Sequence, residues 1–233
     1  MRFAKNILLL SGLGCASLCA TVITPTSAGT PVTVGATTVG SLGTLTFLQA
    51  ITATFSIHQA GKSGGTLSGN LTTAVYRTGG GTLDFFYQIT EDKANTKAIS
   101  DLGAPIQDTF GASGGVNIYY LPVVTGLTGS AGFVSSTKGA TPHLTASWTA
   151  GNNSISWLPQ GMGTTNSVST VFVMTTQATS YSTDLASLQG GNLVAPSLGT
   201  ASPTPEPGFY GVLGVGLSGL AFVAVRRRRV QQG

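Results

Sequence analysis

The sequence predicts an all-β protein: an antiparallel β-sandwich, jelly-roll-like, flanked by an N-terminal signal peptide and a C-terminal transmembrane helix. Three observations carry this. Short runs of β-branched and aromatic residues recur between Gly-rich turns. No long stretch of the central region places apolar residues at helical spacing. Only 8% of the residues are charged, so strand faces that meet water must be covered by Ser and Thr.

The strand candidates, in order, are Leu42–Phe47, Ile51–His58, Leu67–Tyr76, Leu83–Thr90, Val116–Leu121, Gly132–Val134, Leu144–Trp148, Ser154–Leu158, Val168–Thr176 and Gly191–Val194. In Ile51-Thr52-Ala53-Thr54-Phe55-Ser56-Ile57 the apolar side chains fall on odd positions, so one face packs and the other is wet. Leu83–Ile89 and Val171–Met174 are more continuously apolar, which predicts central strands covered on both faces. Two short helices are expected, over Glu91–Ser100 and over Thr183–Leu188, the second capped by Ser182 or Thr183. No repeat of 20–50 residues is present, which argues against a solenoid or propeller and for two packed sheets.

The ends differ from the middle. Arg2 and Lys5 precede the apolar stretch Ile7–Ala20, followed by Pro25 and small residues at Thr26 and Ala28. This is the layout of a secretory signal peptide over residues 1–28, with signal peptidase cutting after Ala28. Cys15 and Cys19 fall inside it, leaving a mature chain without a thiol. Neither has the Leu and small residues that precede a lipid-modified cysteine. The formal charge of +4 also belongs to the ends. Between residues 29 and 204, Lys62, Arg77, Lys93, Lys97 and Lys138 face six acids, so no basic patch for nucleic acid is expected.

Residues 29–192 are thus expected to form the ectodomain and residues 193–204, rich in Pro, Ser and Thr, a linker without a core. Then come Pro205, Glu206 and Pro207, the uninterrupted apolar stretch Phe209–Val225, and Arg226, Arg227, Arg228 and Arg229. The 17 residues from Phe209 to Val225 make a short span of about 25 Å at ~1.5 Å per residue. Flanking arginines snorkel and the bilayer thins to meet such a length. The arginines hold their end in the cytoplasm, which puts the domain outside. Two prolines stop the helix from propagating backwards and leave the peptide around Glu206 extended at the membrane surface.

This ordered tail resembles the PEP-CTERM sorting signal. The resemblance covers residues 205–233. It implies that the chain is a substrate of an exosortase, a membrane-embedded cysteine transpeptidase-like enzyme of Gram-negative bacteria that make exopolysaccharide and biofilm. Pro205, Glu206 and Pro207 would be its recognition element and Arg226 to Arg229 its retention element. The inner membrane would be an intermediate, and the cell surface or extracellular matrix the destination, with exopolysaccharide as a partner. Gly80–Ile89, Trp157–Gly161 and Val171–Thr176 are more weakly similar to ectodomains found ahead of this signal, which implies a β-sandwich and names no activity.

The expected role is therefore structural or adhesive and non-enzymatic. The alternatives are an extracellular carbohydrate-binding or carbohydrate-cleaving module and an unprocessed single-span envelope protein. His58 and His143 have no ligand spacing, G-x-S-x-G is absent, and Gly79-Gly80-Gly81 reads as a hairpin turn. No cofactor is expected, although Asp84, Glu91, Asp92, Asp101 and Asp108 are the acids from which a calcium site would be built. Trp148 and Trp157 are expected in the core, with a sugar-stacking platform as the alternative.

Overall fold

The structure, a computed structural model, describes residues 21–23, 30–58, 65–92, 95, 102–105, 116–129, 132–134, 144–149, 154–159, 162, 167–188 and 193–200. The expected signal-peptide residues 1–20 and 24–28, and the whole of 205–233 with its transmembrane stretch, lie outside them. Among the described residues no helix is long and apolar enough to cross a membrane.

The fold is all-β. Its strands are β1 (Thr21–Ile23), β2 (Val32–Thr33), β3 (Gly35–Ala36), β4 (Leu45–His58), β5 (Thr66–Thr78), β6 (Leu83–Glu91), β7 (Leu102–Pro105), β8 (Val116–Leu121), β9 (Leu144–Ser147), β10 (Ser154–Pro159), β11 (Val171–Thr175), β12 (Tyr181–Leu188) and β13 (Leu193–Thr200). Among the described residues one 3-10 turn, Val39–Leu42, is present, capped by the Thr38 hydroxyl. Sheet one runs β1-β8-β11-β6-β5-β4, with β3 also on β8; sheet two runs β13-β12-β7-β10-β9-β2. All pairings of named strands are antiparallel except β3 with β8.

The two sheets share one core. Leu71, Val75, Phe85, Tyr87, Ile89, Ile118 and Phe172 of sheet one meet Leu102, Ala146, Ile155, Trp157, Leu188 and Leu198 of sheet two in a single buried cluster. Each large side chain so buried contributes roughly 1.5–3 kcal/mol of hydrophobic stabilisation. Trp157 stacks on Phe172 with ring centroids 5.4 Å apart, and Trp148 is also buried. Both tryptophans therefore serve packing, and neither forms a surface platform.

Sheet one is covered on its other face as well. Ala74, Tyr76, Phe86, Leu121, Val171 and Val173 form a second cluster, roofed by Val39, Leu42, Phe47, Val124, Leu127 and Phe133. This is why β6 and β11 read as continuous apolar runs: every residue from Leu83 to Tyr87 and from Val171 to Met174 is buried. β4, at the sheet edge, keeps the alternation instead, with Thr52, Thr54 and Ser56 exposed and Phe55 buried.

Several expectations need correction. Residues 193–200, expected as linker, are strand β13, paired along its full length with β12. Ala195, Ser197 and Leu198 are buried, and Pro196 stays exposed where its missing N–H costs least. Thr183–Leu188, expected as a helix, belongs to β12; Ala186 and Leu188 point to the core with the period of a strand, and partners on both sides override the cap signal. Glu91 ends β6, so the helix expected over Glu91–Ser100 does not begin there, and residues 93–94 and 96–100 lie outside the described residues. Of the expected Leu42–Phe47, Leu42 ends the 3-10 turn, and Leu45–Phe47 forms one strand with Ile51–His58, interrupted by an irregularity in register between Phe47 and Gln49. Gly132–Val134 joins no ladder. The packed unit thus reaches beyond 29–192 at both ends, taking in β1 and β13.

Candidate functional site: a carboxylate cavity on sheet one

Asp84 is a charge-bearing residue in an otherwise apolar run, Leu83-Asp84-Phe85-Phe86-Tyr87. Strand alternation puts Leu83 and Phe85 in the shared core and Asp84 on the outer face with Phe86. The residues opposite it are Tyr76 on β5 and Thr175 on β11. At this end of the sheet the apolar roof gives way to a cavity of about 230 Å³. Its wall is made by Ser41 and Leu42 of the 3-10 turn, Thr78 and Thr82 of the β5–β6 hairpin, Tyr119 of β8, and Thr175, Thr176 and Gln177 at the end of β11.

Only 2% of Asp84 is exposed, and its backbone is held in the ladder between Tyr76 and Thr175. Burial lifts its carboxyl to about 7. Burial, and then the Asp84 charge, raise the Tyr119 phenol. The surrounding hydroxyls are partly committed. Thr78 and Thr82 bond each other at 2.9 Å, while Thr176 donates to the Leu83 carbonyl at 2.8 Å and accepts from the Ala178 N–H. Ser41, Thr175, Gln177 and Tyr119 supply the remaining polar lining. A sheltered carboxylate among neutral hydroxyl and amide groups suits a ligand that presents several O–H donors.

Among the described residues, the other acids do not assemble around Asp84. Glu91 and Asp92 stand at the far end of β6, about 23 Å away at ~3.3 Å per residue, and Asp184 lies on sheet two. Among the described residues no three His, Cys, Asp or Glu side chains come together, and Asp101 and Asp108 lie outside them. Among the described residues a facing carboxylate pair for glycoside cleavage is likewise not built at Asp84. His58 ends β4, exposed, its Nδ1 3.4 Å from the Thr66 hydroxyl; His143 is outside the described residues. Gly79-Gly80-Gly81 is the expected hairpin turn, closed by the Gly81 N–H on the Thr78 carbonyl at 3.0 Å, with Gly81 at a φ of 87°.

The sorting residues Pro205, Glu206, Pro207, Arg226, Arg227, Arg228 and Arg229, and Ala28, also fall outside the described residues. Fold and cavity together define an all-β protein of two layered, largely antiparallel sheets with a small polar cavity. Comparison with known protein families, with curated proteins and with solved structures gave no match.

Proposed function

We propose that the chain is an exported, non-enzymatic surface or matrix protein whose jelly-roll-like β-sandwich is carried to the envelope and sorted through a PEP-CTERM tail. One observation carries this reading: Pro205-Glu206-Pro207, an apolar stretch and four arginines follow one another in that order within the last 29 residues. Each part has a physical task at a membrane, as extended substrate, span and cytoplasmic stop. The burial of both tryptophans favours a scaffold over an exposed aromatic binding face. The test is the C-terminal peptide of the exported protein from an exosortase-bearing host, an exosortase-null strain and a Glu206→Ala variant. Chains ending near Pro207 in the first alone support sorting; chains reaching Gly233 in all three make it an unprocessed single-span envelope protein.

A second reading, binding of a neutral sugar unit at the envelope, is favoured by the Asp84 cavity. The carboxylate would accept two sugar hydroxyls, with Thr175 and Gln177 completing the set. Calorimetric titration with neutral monosaccharides and exopolysaccharide fragments checks it. Heat that disappears in Asp84→Asn and Thr175→Val supports the reading, and equal heat, or none, in all proteins removes it.

A further inference from the structure

Strand β1 lies inside the segment that the signal-peptide reading assigns to removal, yet it is built into the fold. Thr21, Val22 and Ile23 pair in register with Ile118, Asn117 and Val116 of β8. Ile23 is 2% exposed and belongs to the core shared by the two sheets. The Thr21 hydroxyl donates to the Thr33 carbonyl of β2 at 3.0 Å, and β2 belongs to sheet two. Three residues thus hydrogen-bond to both sheets at once, pairing with β8 next to the stretch of that strand that β3 takes. Without β1, the β8 edge from Val116 to Ile118 would lose its partner, and the space filled by Ile23 would open beside Val116.

A cut after Ala28 would detach β1 from the chain. Three residues held by one short ladder do not remain bound without a covalent link, because the entropy of association far exceeds what so small a contact returns. From this, and resting on the reading of the N-terminus as a secretory signal, we infer that signal peptidase cuts upstream of Thr21, at the Ala16–Ser17 bond, and that β1 is part of the mature protein. The residues there meet the enzyme's requirements. Ile7–Leu13, apolar but for Ser11, is a stretch of seven residues, within the usual 7–15, and Gly14 and Ala16 are the small residues three and one positions before the bond. At Ala20–Thr21 the third position back is Leu18, which is larger. Hydrolysis consumes one water, leaves a carboxylate on Ala16 and frees the α-amino group of Ser17. Cys19 then stays in the mature chain as its single thiol.

The experiment expresses the full chain in a Gram-negative host, purifies the exported form, and reads its N-terminus by sequencing and intact mass, with and without a thiol-alkylating reagent. Ser17 as first residue, with one alkylated thiol, is the expected result, and any start up to and including Thr21 still retains β1. A start at Gly29, or anywhere after Thr21, overturns the inference while leaving export intact. A chain retaining Met1 overturns the signal reading itself. Two variants make the result independent of secondary trimming. Ala28→Leu, which places a bulky side chain where a cut after residue 28 needs a small one, is expected to leave the N-terminus unchanged, whereas Ala16→Leu shifts or blocks it. Ile23→Ala is expected to lower the melting temperature of the exported protein by about 5–10 °C, as for a buried Ile in a domain of this size. If residues 21–23 are removed in the cell, that substitution changes nothing.

Discussion

Gln88 and Val134 exchange hydrogen bonds in both directions: the Gln88 amide Nε2 donates to the Val134 carbonyl at 2.7 Å, and the Val134 N–H donates to Gln88 Oε1 at 2.9 Å. Nε2 also donates to the Ser169 carbonyl at 3.0 Å. A side chain on a central strand thus takes the place of a neighbouring strand for residues 132–134, and it docks them over the outer face where Phe133 lies 6.4 Å from Phe86. Gln88→Ala would leave two carbonyls and an N–H without this partner and is expected to cost about 2–4 kcal/mol. Urea denaturation followed by tryptophan fluorescence measures it. A loss under 0.5 kcal/mol would mean that the roof is held by its apolar contacts alone.

The Asp84 carboxyl stands at about 7 in the folded chain against an ordinary 3.8. Its folded form is raised, so between about pH 4 and pH 7 the folded protein keeps a proton that the unfolded chain has released. Stability from this group is therefore fully present below about pH 4 and is lost as the pH climbs towards and past 7, by a few kcal/mol at most. Melting curves at pH 5 and pH 8 should show wild type losing more stability with rising pH than Asp84→Asn, with the variant the more stable at pH 8. Parallel pH profiles would show that the cavity solvates the carboxylate.

Gly129 and Gly81 both hold positive φ, at 84° and 87°. A Cβ on Gly129 would also run into the Phe47 ring, whereas one on Gly81 meets open space. Gly81→Ala should cost about 1 kcal/mol, the backbone penalty alone. Gly129→Ala should cost clearly more, with Phe47 displaced from its edge-on contact with Tyr76 at 5.6 Å. Equal losses in paired thermal melts would place the strain in the backbone only.

β13 should behave as core and not as tether. Deleting residues 193–200 removes Ala195 and Leu198 from the core, breaks the Thr73–Ser197 hydroxyl contact at 3.0 Å and leaves the full length of β12 without its outer partner. The shortened chain is expected to lose its cooperative melting transition. Tyr87→Phe, which removes only the bond to the Leu198 carbonyl at 2.9 Å, should cost about 1–2 kcal/mol. A deleted chain that melts like the intact one would restore the linker reading.

What could be read from the residues follows from how many partners decide each segment. β6 and β11 are buried on both faces, so composition alone announces them. β4 is buried on one face and shows its period of two. β12 and β13 are weak formers by themselves: Tyr181-Ser182-Thr183-Asp184 looks like a cap, and Val194-Ala195-Pro196-Ser197 looks like a tether. They are strands because each pairs with the other and β7 flanks β12, which local propensity does not encode. β7, Leu102-Gly103-Ala104-Pro105, was concealed by its Gly and Pro, yet a Cβ at Gly103 would strike the Ser187 side chain, so the small residue is what lets β12 approach. The cavity was half visible. A lone Asp within an apolar strand is a signal, but its companions Tyr119, Thr175 and Gln177 come from distant segments that only the pairing of β6, β11 and β8 brings near.

The pairings also set an order in time. β1 waits for β8, β6 for β11, and the shared core for Leu198, so the contacts that define the fold join residues some 80 to 120 positions apart. Such non-local closure is slow, in the range of milliseconds to seconds, and it cannot finish before residue 200 is free to move. A chain crossing a membrane from its N-terminus would travel almost all of this length unfolded, and β13, the last of the described strands, would emerge five residues ahead of Pro205. Folding would then be completed at the membrane surface, when the tail is all that remains to follow.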